Sequence, residues 1–384
     1  MINLNKKHFS KSLLFCIIVI VVGGIFMTSI FFGKPVEIKK NTNLPFKMEN
    51  SLKEVIYYAS LAPNSHNAQM WHVVAYPDKK QLMIELDDKR SLENVDPKDR
   101  EAYISIGAFL KNMETAFKAY GYNVNIETMD VENTNDIEKS NNIVAKVTYS
   151  GGSEEVVKPE LLNLIEKRHT DKSKFDNSNL SVDTVNKLLE KSTDNIKYYP
   201  KDSEAGTYLA EGTLKAMDIQ SSNQEKRDEL ADWLRFSDTE TLAKKDGLSA
   251  EQLGISGVKK IFYYMFSNKE SAKKDSFADQ GVDMTKGQVN NCSGFIILTG
   301  DNNQKDLINT GMILEDLWLE AVSENVSVHP MSQMLEEEEY KTEISSKLNT
   351  EKPVQMILRV GKVKEYGENA KIRRDLSEFV TKGE

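Results

Sequence analysis

Four short segments hold most of the side chains in this 384-residue chain that could do chemistry. The densest is Ala62-Pro63-Asn64-Ser65-His66-Asn67-Ala68-Gln69-Met70-Trp71. Ser65, Asn67 and Gln69 recur at every second residue, so in an extended segment they point to one side. Amides carry both donors and acceptors, which suits the edge of a heterocycle that alternates N–H and C=O, as a pyrimidine does. A turn whose polar side chains satisfy their own backbone has the same composition and remains open. Arg168-His169-Thr170-Asp171-Lys172-Ser173-Lys174-Phe175 gathers cations and hydroxyls, the donor set that binds phosphate. A solvated basic stretch is its plain alternative. Ile372-Arg373-Arg374-Asp375-Leu376 is either the start of a surface helix or a phosphate clamp. Val328-His329-Pro330-Met331-Ser332-Gln333-Met334 is placed for a loop that could lie against a flat ring, unless Met331 is only a surface residue.

Other chemistries are poorly supplied. The five histidines form no convincing triad, and His66 and His72 lack the spacing and neighbours of a zinc site. Two cysteines, Cys16 and Cys292, exclude a disulfide framework and a cysteine zinc site. A net charge of -9 leaves no electrostatic footprint for nucleic acid.

The elements that must position these segments follow from periodicity. Helices are expected over 52–61, 104–120, 161–168, 182–189 and 306–323, and strands over 71–76, 82–86, 144–149, 295–298 and 354–360. Ile104, Gly107, Leu110, Met113 and Val124 match Ile308, Gly311, Leu314, Leu317 and Val328 at one constant offset. That pattern reads either as chance likeness of two amphipathic helices or as two diverged copies of one unit. Residues 224–288 break the pattern and mix aromatics with Lys, Asp, Ser and Gly, as a surface excursion or a lid over a flat ligand would.

The first 34 residues differ from the rest. Residues 13–32 carry no charge and follow Lys6, Lys7 and Lys11. At helical rise they span about 30 Å, one hydrocarbon thickness. The expectation is an uncleaved single-pass anchor with the bulk of the chain outside the membrane. A cleaved signal sequence, given the small Gly23 and Gly24, is the competing reading, and Lys34, Lys39 and Lys40 at the far end leave the orientation open by charge. The remaining division is a linker at 35–48, a first unit at 49–157 and a second at 158–384.

Taken together, the four segments resemble the nitroreductase superfamily, and within it the Acg-type proteins that hold two copies of the fold in one chain. Residues 62–71 are similar to that group's APSxHNxQPW motif, with Met70 in place of proline. Arg168-His169-Thr170-Asp171-Lys172 resembles the RRSxR or RHSxK motif that opens nitroreductase domains. Arg373-Arg374 resembles the basic pair that closes them, and residues 96–107 resemble a DPxxRExxISxG stretch. The likeness runs from about residue 50 to 380.

The resemblance implies an α+β, nitroreductase-like fold in two diverged repeats forming a pseudo-dimer, and FMN as cofactor. Arg168, Lys172, Arg373 and Arg374 would hold the FMN phosphate, with His169 and Thr170 near it or near the pyrimidine end. Ser65, Asn67 and Gln69 would face the ring edge, and Pro330, Met331 and Ser332 the ring face. The activity implied is two-electron reduction of a nitroaromatic- or quinone-like small molecule, with NAD(P)H as donor and no catalytic side chain, since the flavin carries the chemistry. An outward-facing domain would need another donor, such as a membrane quinol. A membrane-anchored FMN store with little turnover is the second reading, and a flavin-free interaction domain the third. A single chain is expected to suffice, because an internal pseudo-dimer lessens the need for a partner.

Overall fold

The computed structural model describes residues 33–129, 142–192 and 194–384. The anchor expected at 13–32 lies outside them. Among the described residues no helix is long and apolar enough to cross a membrane.

The first half is built from helix α1 (Asn50–Ser60), the hairpin β1 (Trp71–Tyr76) and β2 (Gln81–Leu86), helix α2 (Arg100–Ala119), and strands β3 (Tyr122–Thr128) and β4 (Ile143–Gly151). Burial in β1 and β2 alternates strictly, so this sheet has one covered face. Trp71 fills that face by stacking on Phe109 of α2 at 4.8 Å. The α2 helix begins four residues before its apolar stripe does. Asp96 Oδ2 accepts from the backbone N–H groups of Glu101 and Ala102 at 2.8 and 3.0 Å and so satisfies the first turn.

Helices α3 (Pro159–Lys167) and α4 (Val182–Leu189) lead into strand β5 (Ile196–Pro200). The chain then makes a long excursion through α5 (Glu204–Ser222), α6 (Gln224–Trp233), α7 (Asp238–Lys244), α8 (Gly257–Phe266), α9 (Lys269–Ala272) and α10 (Asp275–Val289). It returns in β6 (Gly294–Thr299), α11 (Gln304–Ser323), β7 (Val326–Pro330) and β8 (Val354–Lys362), and ends in β9 (Val380–Lys382). The irregular segment expected at 224–288 is thus helical and larger, because α5 belongs to it. Phe295 and Ile297 pack toward Leu209 and Ala216 of α5, while Ile296 and Leu298 pack toward Trp318 of α11. Both faces of this sheet are covered, which is why β6 and β8 read as unbroken apolar runs.

The two sheets share one plan. Their strand orders are β3-β4-β2-β1-β9 and β7-β8-β6-β5, and the eight strands β1–β8 pair antiparallel. A bulge interrupts β2 against β4 at Ile84/Glu85, and another interrupts β6 against β8 at Leu298/Thr299. The halves meet where α2 crosses α11. A methyl on Gly107 would run into the Ile308 carbonyl oxygen, and one on Gly311 into the Ile104 carbonyl oxygen. Each glycine therefore sits against residues of the other helix that the offset pairs as equivalent, a reciprocal contact of the two-fold kind. Glycine within a helix costs about 1 kcal/mol relative to alanine, so its presence at both positions marks a backbone contact.

One boundary needs correction. The second unit does not keep the C-terminus to itself: β9 pairs in parallel with β1 and so completes the first sheet.

Candidate functional site

The expected alternation of Ser65, Asn67 and Gln69 requires an extended backbone, and the chain is not extended there. His66, Asn67 and Gln69 have φ values of 49, 52 and 57°, which turn successive side chains in different directions. Ser65 and His66 face a cleft, where the Ser65 hydroxyl donates to Glu101. Asn67 is spent on the protein: its Nδ2 donates to the carbonyls of Gly247 and Ile372, and its Oδ1 accepts from Arg373. Gln69 is fully buried, donates to the Lys245 carbonyl at 2.9 Å and accepts from the backbone N–H of Arg374. Neither amide is free for a ring edge.

The arginines are also committed elsewhere. A helix C-terminus leaves carbonyls without partners, and α1 solves this with side chains distant in sequence. Arg373 donates to the carbonyls of Ser60, Leu61 and Ala62, and Arg168 donates to that of Leu61 at 2.7 Å. Arg168 further pairs with buried Glu315 at 3.2 Å and lies over the Trp318 ring. Burial raises the Glu315 carboxyl to about 8 against the opposing pull of Arg168. Arg374 donates to the carbonyls of Gln69 and Trp71. Arg373-Arg374, with Arg168, thus tie the C-terminal segment to α1 and β1, while Arg168 and Arg373 also line the cleft and Arg168 Nη1 has no hydrogen-bond partner among the described residues. Met331 is likewise in the core, packed near Met334 and Leu335, and is turned from the cleft.

What remains does converge. A cleft of about 2770 Å³ collects Ser65 and His66, residues 168–174, Pro330, Ser332 and one side of the excursion. Single-ligand pockets hold about 300–1,000 Å³, so this one has room for a second molecule. Lys172 enters it without an ion-pair partner among the described residues, and burial alone pulls its ammonium down to about 8. Nδ1 of His66 and Nδ1 of His329 are buried without hydrogen-bond partners. Burial lowers both rings, His66 to about 4, and the Lys172 charge adds to the effect on each. His169 lies edge-on to Tyr366 at 5.0 Å, with Nδ1 2.8 Å from the Lys167 carbonyl, and Thr170 lines the wall beside it. Ser332 lines the opposite side and accepts from the backbone N–H of Ile357.

Several cleft residues escaped the sequence reading. Glu101 and Glu336 both line it, and Glu336 is held by Gln220 at 2.8 Å. Burial, then repulsion from Glu101, raises the Glu336 carboxyl well above its ordinary range. The excursion is latched across this region. Asp246 takes Arg235 at 2.6 Å and also Arg90, while Lys245 pairs with Asp375 at 2.6 Å. His66 and His329 stood inside the quoted segments, but nothing in their spacing separated them from their neighbours.

No family model matches the chain. Over 74 residues, 19 % of the chain, it is 34 % identical to a probable NAD(P)H nitroreductase, PigM, from a Serratia strain, covering 21 % of that protein. The chain thus matches about a fifth of the length of that curated relative. Among solved structures it is similar to the FMN-dependent nitroreductase NfnB from Mycobacterium smegmatis, determined in complex with NADPH. That likeness has a TM-score of 0.35 and 13 % identity, over 57 % of this chain and 96 % of the other. Both likenesses are to nitroreductases.

Proposed function

We propose that the chain is an FMN-dependent oxidoreductase of the nitroreductase kind, made of two fused copies of one α+β unit, and that the cleft holds the flavin. The observation that carries this is Lys172, a half-buried cation without an ion-pair partner among the described residues, beside two histidines with unpaired ring nitrogens. A buried charge without a partner is costly, and an anionic ligand group removes that cost. The residues present fit the cofactor at this point: Lys172, with His169 and Thr170, would take the phosphate. Ser65 and His66 would meet the ring edge, and Pro330 and Ser332 its face. Arg168, Arg373 and Arg374 would act indirectly, by fixing the segments on which these residues sit. The flavin, once bound, would supply two-electron transfer from NAD(P)H to a nitroaromatic- or quinone-like acceptor. The chain's own contribution is a cleft with room for a second molecule. Glu336, whose carboxyl is raised by burial well above its ordinary range, is an acid group within it that could exchange a proton with a bound molecule.

The latch at Asp246 favours a second reading, a flavin store with slow turnover. Arg90, which it pairs, also donates to the Ala68 carbonyl, and the adjoining Gly247 exchanges hydrogen bonds with Asn67, so the excursion is held against the segment that carries Ser65 and His66. The full chain, purified in detergent, separates the two. A visible flavin spectrum that bleaches with NADPH or NADH supports the reductase, and one that persists unbleached supports storage. A colourless protein that takes up no added FMN removes both.

A further inference from the structure

Within the excursion, α8 turns one apolar stripe away from the protein. Val258, Phe262, Met265 and Phe266 fall at i, i+4, i+7 and i+8, a single helix face. All four are exposed, Met265 and Phe266 to 66 and 68 %. The helix cannot roll to hide them, because its other face is fastened. Lys260 is fully buried with Nζ 2.6 Å from Glu251 and 2.7 Å from Asp238, and Tyr263 stacks on Phe236. The same fastening holds the start of the described chain. Gly257 N–H donates to the Gly33 carbonyl at 3.0 Å, Lys260 Nζ to the Lys34 carbonyl at 2.7 Å, and Val36 N–H to Glu251 at 3.1 Å. Gly33 follows directly on the charge-free residues 13–32. The apolar stripe therefore begins one hydrogen bond from the point where that run ends. Lys34 and Lys259, both exposed, lie at this junction.

We propose that the exposed face of α8 is a membrane-docking surface. Val258, Phe262, Met265 and Phe266 enter the interfacial layer of the bilayer beside the anchor, while Lys34 and Lys259 meet anionic headgroups. The proposal rests on the reading of residues 13–32 as an anchor. Phe262 and Phe266 also line the cleft, so docking places one mouth of the cleft at the lipid boundary, where a membrane-dissolved reactant of the quinone class can enter.

The test uses the full-length chain with Cys16→Ser and Met265→Cys, labelled with bimane and reconstituted into phosphatidylcholine–phosphatidylglycerol vesicles. Cys292 is buried, and the Cys16→Ser parent checks that it stays unlabelled. Flotation comes first: protein that does not float with the vesicles overturns the anchor and this proposal with it. In floating protein, lipids spin-labelled near the headgroup are expected to quench the Met265→Cys label about twofold, and aqueous iodide to reach it poorly. A label at Val182→Cys, a site 77 % exposed on α4, is expected to show the opposite pattern. Phe262→Ser with Phe266→Ser should leave flotation intact and restore iodide access at Met265→Cys. A label open to iodide overturns the docking surface while leaving the anchor standing. So does a label shielded from iodide yet unquenched by lipid, as it would be under a second copy or the chain's own N-terminus.

Discussion

The hairpin β1–β2 turns within residues 77–80, whereas its counterpart β5–β6 opens into the excursion of residues 201–293. Strand order, the bulge and the glycine crossing are otherwise shared by the two halves. The common parts are those that bury backbone and apolar surface, which tolerate little change. The connection is where function can be made one-sided, since a surface loop can lengthen at small entropic cost. The excursion contributes Gln220 and Gln288 to the cleft, the latch at Asp246 and the exposed stripe of α8, with no counterpart in the short turn.

The comparison can be broken at its axis. Gly107→Leu or Gly311→Leu puts a side chain into a backbone contact and is expected to destabilise by about 3 kcal/mol or more, read as loss of a cooperative melt. A modest change in Tm for both variants would mean that the halves are not held together by this crossing. Next in size is Arg373→Ala, which takes a donor from three carbonyls at the end of α1, leaving that of Ser60 without a side-chain partner, and one from Asn67. It should cost about 3 kcal/mol in denaturant unfolding. Were Arg373 a phosphate ligand instead, the variant would lose FMN affinity while keeping its stability.

Asp246→Ala sharpens the contrast between turn and excursion. It leaves Arg235 buried without its anion, so a loss of about 2 kcal/mol is expected, less than for a fully buried pair. If the latch slows reactant entry, bleaching of the flavin by NADPH should become faster, as stopped-flow absorbance would show. Lys172→Gln is expected to weaken FMN binding about tenfold, by titration of the visible spectrum, with little loss of apo stability. The smallest effect is in pH. The Lys172 ammonium falls from 10.5 to about 8 on folding, so between these values the unfolded chain binds the extra proton and apo stability rises with pH. Lys172→Met should remove that rise, seen as the difference between the two stability–pH curves.

Much of the fold was legible in the residues. Strand β1 and helix α4 lie where their periodicity places them, and the offset of Ile104 and Gly107 to Ile308 and Gly311 marks the crossing. Helix α5 was not legible, because its apolar positions divide between the sheet and the rest of the excursion and leave no single stripe. The site was legible in part. Lys172, His169, Thr170, Ser65, Pro330 and Ser332 line one cleft, as do Asn67, Arg168 and Arg373, whose polar atoms are largely spent on the protein, while Gln69 and Met331 turn away from it.

By itself the sequence determined where apolar surface must be buried, that Gly107 and Gly311 stand at matched positions, and which segments are rich in donors. Those are local properties of residue type and spacing. Only the tertiary structure decided what the donors bind. A guanidinium suits a phosphate and a helix C-terminus equally well, and for Arg168 and Arg373 the choice fell to the carbonyls of α1, brought within reach by a chain that returns from more than a hundred residues away.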